Sequence, residues 1–288
     1  DNYVRSLLAL PDGSVLIGTN VGGLARYDVR TDRFHRLVAK AQRTGTRIFD
    51  LTPDGAGGAY VASDGGVHHY DARNDRLDPM AAEAIRDDKG GNQVVFSVFR
   101  DADGTVWAGT EEGLWVRAPH AGRFVLVPLS GTAPKDDIWA IQRDRQGRLW
   151  IGTGSDGIYV SPDRGTRPRF VQFRTLEGDS PLVGHRTVRS LQEDRQGRMW
   201  AATDGMGILL IDPAHRYSVM PIRHVAANAL SLAGDTVRDL ALDGSGGMWA
   251  ATELGAARVQ LREMETETVR VRQKNEEHQE VISEMARW

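Results

Sequence analysis

The chain has 288 residues, which is long enough for one large domain with a substantial buried core. Its 36 basic and 39 acidic side chains give a formal charge of −3. The surface therefore lacks the excess of positive charge that neutralises nucleic-acid phosphates, and we expect no nucleic-acid partner. Cysteine is absent, which excludes disulfides, thiolate metal sites and a cysteine nucleophile.

The sequence contains no obvious membrane span. No apolar run approaches the ~18 residues that a helix needs to cross a bilayer. The first residues, Asp1-Asn2-Tyr3, contain neither an initiator Met nor the charged and apolar parts of a leader peptide. We therefore expect a soluble piece of a longer protein, attached to a membrane only through segments outside this sequence.

One sequence phrase occurs six times along the chain. A β-branched residue is followed nine positions later by a glycine, then after three more positions by an aromatic residue or Leu, and finally by Thr or Ser. The copies start at Val4, Ile48, Val95, Ile138, Val188 and Val237. The aromatic or Leu residues, here called the gap positions, are Leu16, Tyr60, Trp107, Trp150, Trp200 and Trp249. Constant internal spacing with a variable interval between copies predicts a repeat architecture.

Each copy is predicted to form antiparallel strands. The run from Val4 to Leu7 alternates as a first strand does, and Pro11-Asp12-Gly13 has the composition of a hairpin turn. A second strand carries the gap position and leads to another glycine turn, and a third and a fourth strand follow in the better copies. Four strands in roughly 40 to 50 residues are typical of a propeller blade. Residues 1–261 are therefore predicted to be an all-β propeller of four-stranded blades.

The second strands are predicted to pack between neighbouring blades. The large side chains at the gap positions would fill the space between two sheets. Small residues two positions later would let the sheets approach closely; these are Gly18, Gly109, Gly152, Ala202 and Ala251.

The repeated motif reads Val-x-Ser/Asp-Leu, then Asp-x-x-Gly-x-Leu/Met-Trp-Ile/Ala-Gly/Ala-Thr, then Gly-Leu/Ile. Residues 138–158 and 188–208 match it best, whereas the second copy departs most, with Tyr60 and Ser63 in place of Trp and Thr. This motif resembles the repeats of the two-component regulator propeller family. The resemblance covers about residues 1–261.

The resemblance implies the periplasmic sensing region of a membrane-bound bacterial sensor, which signals to a histidine kinase or a diguanylate cyclase inside the cell. It also implies a small polar ligand, with oligosaccharides as candidates, and no enzymatic activity in this segment. Family members commonly form seven-bladed propellers followed by an immunoglobulin-like domain. This sequence shows six copies and no immunoglobulin-like segment. We therefore expect the copies to belong to a seven-bladed or larger propeller.

Residues 262–288 differ in composition from the repeats. They contain no Gly or Pro and are dense in charge, which favours a helix. Residues 261–285 also show the alternating three-four spacing of a coiled-coil seam, with Asn275 in a core position. We expect a homodimer through the sensor and this tail, with a solvated helix or an ordered remnant of another segment as the alternatives for the tail. The sixth copy lacks a clear fourth strand, for which the alternating residues 268–273 are a candidate.

The sequence offers little evidence of catalytic or metal chemistry. His68 and His69 are adjacent, but neighbours on a strand point to opposite faces and cannot chelate one ion. Asp101, Asp103 and Gly104 resemble the start of a calcium loop, yet the other copies identify this position as the first hairpin turn. No catalytic residue, metal or cofactor is therefore predicted.

A ligand site is predicted from propeller topology. Loops that lead into the first strand and loops between the second and third strands emerge on one face of a propeller. The first set contains Arg47, Asp136, Asp137, His185 and Arg186. The second set contains Asn20, Asp64, Glu111, Glu112, Ser155, Asp156 and Asp204. With Trp115 and Trp139 nearby, these residues would suit hydrogen bonding and stacking on a sugar, although each could equally be an ordinary polar turn residue.

Three functions are compatible with this sequence. The first is a non-enzymatic sensor module, whose bound ligand shifts the packing of propellers or protomers. The second is a propeller enzyme that acts on oligosaccharides, such as a lyase or a glycoside hydrolase. The third is a protein-interaction scaffold without a small ligand. Fold alone does not decide among them, because one scaffold hosts many unrelated functions.

Overall fold

The computed structural model describes residues 3–37, 47–80, 85–86, 93–129, 136–163, 168–173, 186–228 and 231–259. Residue contacts divide the chain into two compact units. Unit 1 comprises Asp1–Arg143, Gly147–Leu149 and Val160–Val171, and unit 2 comprises Asp144–Gln146, Trp150–Tyr159 and Gln172–Trp288. The predicted tail, residues 262–288, and the candidate strand 268–273 lie outside the described residues.

Unit 1 contains the first three antiparallel sheets. The first sheet consists of β1 (Val4–Ala9), β2 (Val15–Thr19), β3 (Leu24–Asp28) and β4 (Arg33–Leu37). The second consists of β5 (Ile48–Pro53), β6 (Ala59–Ser63), β7 (Gly66–Asp71) and β8 (Arg76–Pro79). The third consists of β9 (Val95–Arg100), β10 (Val106–Thr110), β11 (Gly113–Arg117) and β12 (Val125–Val127).

Three further sheets follow in chain order. The fourth consists of β13 (Ile138–Arg143), β14 (Leu149–Thr153), β15 (Ile158–Ser161) and β16 (Val171–Gln172). The fifth consists of β17 (Val188–Glu193), β18 (Met199–Thr203), β19 (Ile208–Asp212) and β20 (Ser218–Ile222). The sixth shows β21 (Val237–Leu242), β22 (Met248–Thr252) and β23 (Gly255–Val259) among the described residues. The predicted all-β fold of four-stranded antiparallel blades is confirmed, with one blade per sequence copy.

The Asp-x-x-Gly part of the motif builds the first hairpin turn and holds the indole beside it. The indole Nε1 of Trp107, Trp150, Trp200 and Trp249 donates to Asp101, Asp144, Asp194 and Asp243, respectively, at 2.7, 2.8, 2.9 and 3.2 Å. The turn glycines have φ from +83° to +98°, a left-handed conformation that glycine adopts without strain. In each of these copies, one Asp carboxylate therefore accepts from the indole N–H and also belongs to the hairpin turn.

The gap positions pack as predicted in most copies. Leu16, Trp107 and Trp150 are 0% exposed and Trp200 is 2% exposed, whereas Tyr60 is partly buried. In unit 2, Trp200 joins a cluster with Val237, Leu240 and Met248 of the sixth sheet. Leu16 likewise joins a cluster with Ile48 and Leu51 of the second sheet. The predicted inter-sheet position is thus confirmed for Leu16 and Trp200.

Trp249 is the exception to the predicted packing. It is 44% exposed, and its sheet is the last one in chain order among the described residues. The first sheet in chain order also has an exposed apolar side chain. Leu7 is 65% exposed, whereas the equivalent Leu51 of the second sheet is 8% exposed. The prediction that all six gap residues are buried between sheets is therefore wrong for Trp249.

Small residues allow the close approach of neighbouring sheets in unit 1. A Cβ atom added at Gly18 would lie 2.6 Å from Cγ2 of Ile48 in the second sheet. One added at Gly109 would lie 2.5 Å from the backbone oxygen of Ile138. Both distances are shorter than atoms tolerate, so the predicted role of these glycines in sheet packing is confirmed.

A β-bulge interrupts the pairing at the start of the first strand. In the first sheet, Val4 pairs with Thr19 and Ser6 pairs with Gly18, which leaves Arg5 as an extra residue. The same shift occurs in the second, third, fifth and sixth sheets. The residues one position after each copy's start are here called the bulge residues; they are Arg5, Phe49, Phe96, Trp139, Arg189 and Arg238. A bulge re-aims a side chain out of the regular alternation of a strand.

Candidate ligand-binding site

The two predicted sets of loops meet at one end of the first, second, third, fifth and sixth sheets, here called the loop edge of each sheet. The backbone N–H that follows the second strand donates to the backbone oxygen that precedes the first strand. The donors and acceptors are Asn20 to Tyr3, Asp64 to Arg47, Glu111 to Val94, Asp204 to Thr187 and Glu253 to Thr236, at 3.0 to 3.3 Å. The loops of each of these sheets are therefore fixed to one another by the backbone.

Several acidic candidates strengthen this connection with their side chains. Asp64 accepts from the backbone N–H and from Nε of Arg47, both at 3.2 Å. Glu111 accepts from the backbone N–H of Val94 at 3.5 Å. These carboxylates help to order the loop edge, and their predicted contact with a ligand stays a prediction.

In unit 1, further candidates lie at or beside the loop edges. Arg5 donates from Nε to Oδ1 of Asn20 at 2.8 Å. Glu112 accepts from Nε2 of Gln93 at 2.7 Å. Asp136 and Asp137 are partly exposed and directly precede β13, whereas Trp115 packs against the hydrophobic cluster shared by the second and third sheets.

In unit 2, Asp204 lies between two bulge residues. Its carboxylate accepts from Nη2 of Arg189 at 2.8 Å, and Nη1 of Arg238 lies 3.9 Å away. The hydrogen bond from Arg189 lowers the pKa of Asp204 below its ordinary value. This carboxylate is therefore ionised at neutral pH and balances the charge of the neighbouring arginines.

The remaining candidates of unit 2 have different environments. Ser155 and Arg186 are exposed, and the backbone oxygen of Arg186 accepts from Gly157 N–H at 3.1 Å. Asp156 accepts from the hydroxyl of Tyr159 at 3.2 Å. His185 lies outside the described residues.

The structure also brings Trp139 together with three bulge residues that sequence reasoning missed, Arg5, Phe49 and Phe96. In unit 1 the guanidinium carbon of Arg5 lies 4.9 Å from the ring centre of Phe49. Phe49 meets Phe96 edge to face at 5.2 Å, and Phe96 stacks on Trp139 at 4.1 Å with an interplanar angle of 19°. These four residues, all partly exposed, form what we call the aromatic strip. The signal available in the sequence was their shared position, directly after the start of each copy.

Neither a cluster of metal-binding side chains nor a membrane-spanning helix occurs among the described residues. Within the described ranges, no three or more His, Asp or Glu side chains lie together in a way that could hold a metal ion. In the same part of the chain, no helix has the length and apolarity required to span a membrane.

Six antiparallel blades with one blade per repeat define this chain as a β-propeller repeat protein. The family model described as "Two component regulator propeller" matches residues 89–112, 132–155 and 183–205. Three segments of the chain therefore match the two-component regulator propeller repeat. No curated protein matches the chain.

Solved structures with a similar fold include both receptors and enzymes. The extracellular domain of a putative hybrid two-component system from B. thetaiotaomicron is 19% identical, with a TM-score of 0.58 over 91% of this chain and 38% of that chain. PorZ, a surface component of the type-IX secretion system of Porphyromonas gingivalis, is 16% identical, with a TM-score of 0.66 over 88% of this chain and 38% of that one. Virginiamycin B lyase from Staphylococcus aureus is 10% identical, with a TM-score of 0.69 over 94% and 85%, respectively.

These likenesses establish the fold of this chain. At such low identity, propellers of different function share the same architecture. The chain also spans only 38% of the length of the sensor domains that it resembles.

Proposed function

We propose that this chain is a ligand-sensing propeller module from the extracytoplasmic part of a bacterial membrane-bound sensor. The observation that carries the proposal is the match of three repeats to the two-component regulator propeller model. The similarity to an extracellular domain of a hybrid two-component system supports the same function and an extracytoplasmic, periplasmic location. The output, a kinase or a diguanylate cyclase, belongs to other segments of the parent protein.

The ligand in this proposal is a small polar molecule, with oligosaccharides as the first class to test. The loop edges of unit 1 supply carboxylates, an amide and partly exposed aromatic rings in fixed positions. Fixed groups lose little conformational entropy when a ligand binds, so they favour selective recognition. Binding then changes the packing of propellers or protomers, and a homodimer is the assembly that would transmit the change.

A propeller enzyme is the second candidate function. Virginiamycin B lyase and a putative gluconolactonase share the fold, the latter with a TM-score of 0.60 at 11% identity. The described histidines with carboxylate partners form local pairs within one sheet: His69 with Asp54 at 2.9 Å and His215 with Asp212 at 2.7 Å. These pairs provide structural hydrogen bonds and make the sensor the better supported function.

Thermal unfolding in the presence of candidate ligands tests the proposal. A ligand that binds only the folded chain at about 100 times its Kd adds about 2.7 kcal/mol to the free energy of unfolding. We expect at least one member of a panel of neutral oligosaccharides, sugar acids, amino acids and nucleosides to raise the unfolding midpoint by several degrees.

The same samples distinguish the two candidate functions, a sensor and an enzyme. A sensor returns the added ligand unchanged after prolonged incubation, whereas an enzyme converts it, which chromatography detects. Conversion of the stabilising ligand would overturn the sensor proposal, and so would the failure of every compound in the panel to shift the midpoint.

A further inference from the structure

In each sheet, the turn between the first and second strands lies at the end opposite the start of the first strand, here called the hairpin end. We propose that the second and third sheets form, at their hairpin ends, a binding site for a small phosphate or phosphate monoester, with Arg100 and Arg117 as its cationic groups. This site lies away from the loop edges, and it is independent of the proposed function.

The second copy departs from the repeat motif at this place. It has Tyr60 at the gap position, where the four copies that follow have a Trp whose indole donates to the hairpin aspartate. The hairpin aspartate of the second copy, Asp54, accepts instead from Nε2 of His69 at 2.9 Å. Its other oxygen accepts from the backbone N–H groups of Ala56 and Gly58 at 2.6 and 2.9 Å. Both oxygens of this carboxylate are therefore already bonded within the second sheet.

A comparison of two equivalent arginines shows the consequence. Arg100 and Arg143 are the last residues of β9 and β13, at the same position of consecutive copies. Arg143 donates from Nε and Nη2 to the two carboxylate oxygens of Asp101, in the preceding hairpin turn, at 2.5 and 2.8 Å. The equivalent acceptor for Arg100 is Asp54, which bonds to His69 instead. Among the described residues, Arg100 makes no hydrogen bond and no ion pair.

The guanidinium of Arg100 lies between two hairpin turns. A Cβ atom added at Gly55, in the second sheet, would lie 2.9 Å from Nη1 of Arg100. One added at Gly104, in the third sheet, would lie 3.9 Å from Nη2. The arginine is partly buried by this packing. A cation that is already held in place loses little conformational entropy when an anion binds to it.

Arg117 is the second cation on the same side of the third sheet. Val106 pairs with Arg100 on one neighbouring strand and with Arg117 on the other, so the two arginines project from one face of the sheet. Arg117 donates from Nη2 to the hydroxyl oxygen of Tyr60 at 3.2 Å, which shows that this face points to the second sheet. Within the described part of the chain, the O–H of Tyr60 has no acceptor, so it is a third donor for an anion.

The acidic side chains around these arginines have partners of their own. Three such pairs border the gap: Asp54 with His69, Asp78 with Arg76 and Asp101 with Arg143. Asp103 is exposed in the third hairpin turn, where it accepts from the backbone N–H of Thr105 at 2.8 Å. The local charge at Arg100 and Arg117 therefore favours an anion from solution.

The arrangement of donors favours a phosphoryl group over a carboxylate. A carboxylate has two oxygens and matches a single guanidinium, as Asp101 matches Arg143. A phosphoryl group has at least three acceptor oxygens and carries up to two negative charges. It can therefore accept from Arg100, Arg117 and the hydroxyl of Tyr60 at the same time.

Isothermal titration of the full chain in a phosphate-free buffer of constant ionic strength tests this site. The ligands are inorganic phosphate, glycerol 1-phosphate and, as a carboxylate, acetate. We expect phosphate or its monoester to bind, and Arg100→Gln and Arg117→Gln to weaken its Kd about tenfold or more. Arg33→Gln is the matched control, because Arg33 is an exposed arginine of β4 and its replacement makes the same change in net charge. This control should keep the wild-type Kd.

The outcomes decide for or against the site. A tighter Kd for the monoester than for phosphate identifies an esterified phosphate as the ligand, and the reverse order identifies free phosphate. An unchanged Kd in Arg100→Gln, or equal weakening in Arg33→Gln, overturns the site. Tighter binding of acetate overturns the phosphate assignment, and no binding of either phosphate compound up to about 10 mM overturns the proposal as a whole. Thermal unfolding of the free variants confirms that each one is folded before it is titrated.

Discussion

Replacing Asp194 by Ala is expected to lower the free energy of unfolding by about 3 kcal/mol or more. The carboxylate is 2% exposed. One oxygen accepts from the backbone N–H groups of Gln196 and Arg198 at 2.9 and 3.0 Å, and the other accepts from Nε of Arg198 at 2.7 Å and Nε1 of Trp200 at 2.9 Å. The substitution removes all four bonds and leaves a buried indole N–H without its acceptor. Denaturant unfolding of both proteins measures the difference.

The sixth copy provides a matched control for this substitution. Asp243 makes the equivalent bonds to its turn and to Trp249, but Trp249 is 44% exposed, so water can replace the lost carboxylate. Asp243→Ala should therefore destabilise the chain clearly less than Asp194→Ala. Equal losses at the two sites would contradict the view that burial of the indole makes this hydrogen bond important.

Replacing Trp200 by Ala is expected to lower the free energy of unfolding by about 3 to 5 kcal/mol. Trp200 is 2% exposed and packs with Val237, Leu240 and Met248 of the sixth sheet. Its removal leaves a cavity between two sheets that the surrounding strands fill only in part. Thermal and denaturant unfolding should both report the loss.

Trp249→Ala is the corresponding control, because it removes the same side chain from the same repeat position at an exposed site. We expect a loss of less than about 1 kcal/mol for this variant. The double variant Asp194→Ala with Trp200→Ala should lose less than the sum of the two single variants, since the two side chains share one hydrogen bond. Strict additivity would argue against their direct coupling.

The blade architecture could be predicted from the sequence because its signals are local. The turn glycine, the hairpin aspartate and the gap position recur at fixed spacing, and each acts within one hairpin or between adjacent sheets. The exposure of Trp249 could not be predicted in this way. It depends on whether another sheet covers the residue, and the repeat motif is the same with or without that sheet.

The candidate site was predictable only in part. The pairing of the two loop sets at one edge follows from blade topology. The bonds that the backbone N–H groups of Arg47 and Val94 donate to the carboxylates of Asp64 and Glu111, respectively, agree with it. Three of the four members of the aromatic strip were missed, because consecutive members lie 43 to 47 residues apart in sequence and come together only when sheets pack. The bulge that exposes them is a one-residue change in register, which the regular alternation of a strand does not reveal.

A crystal structure of the full chain with its tightest oligosaccharide tests the central claim most directly. The account predicts a ligand bound at the loop edges of unit 1, with hydroxyls bonded to Asp64 or Glu111. A ligand bound on the outer strands of the sheets, away from the loop edges, would contradict it.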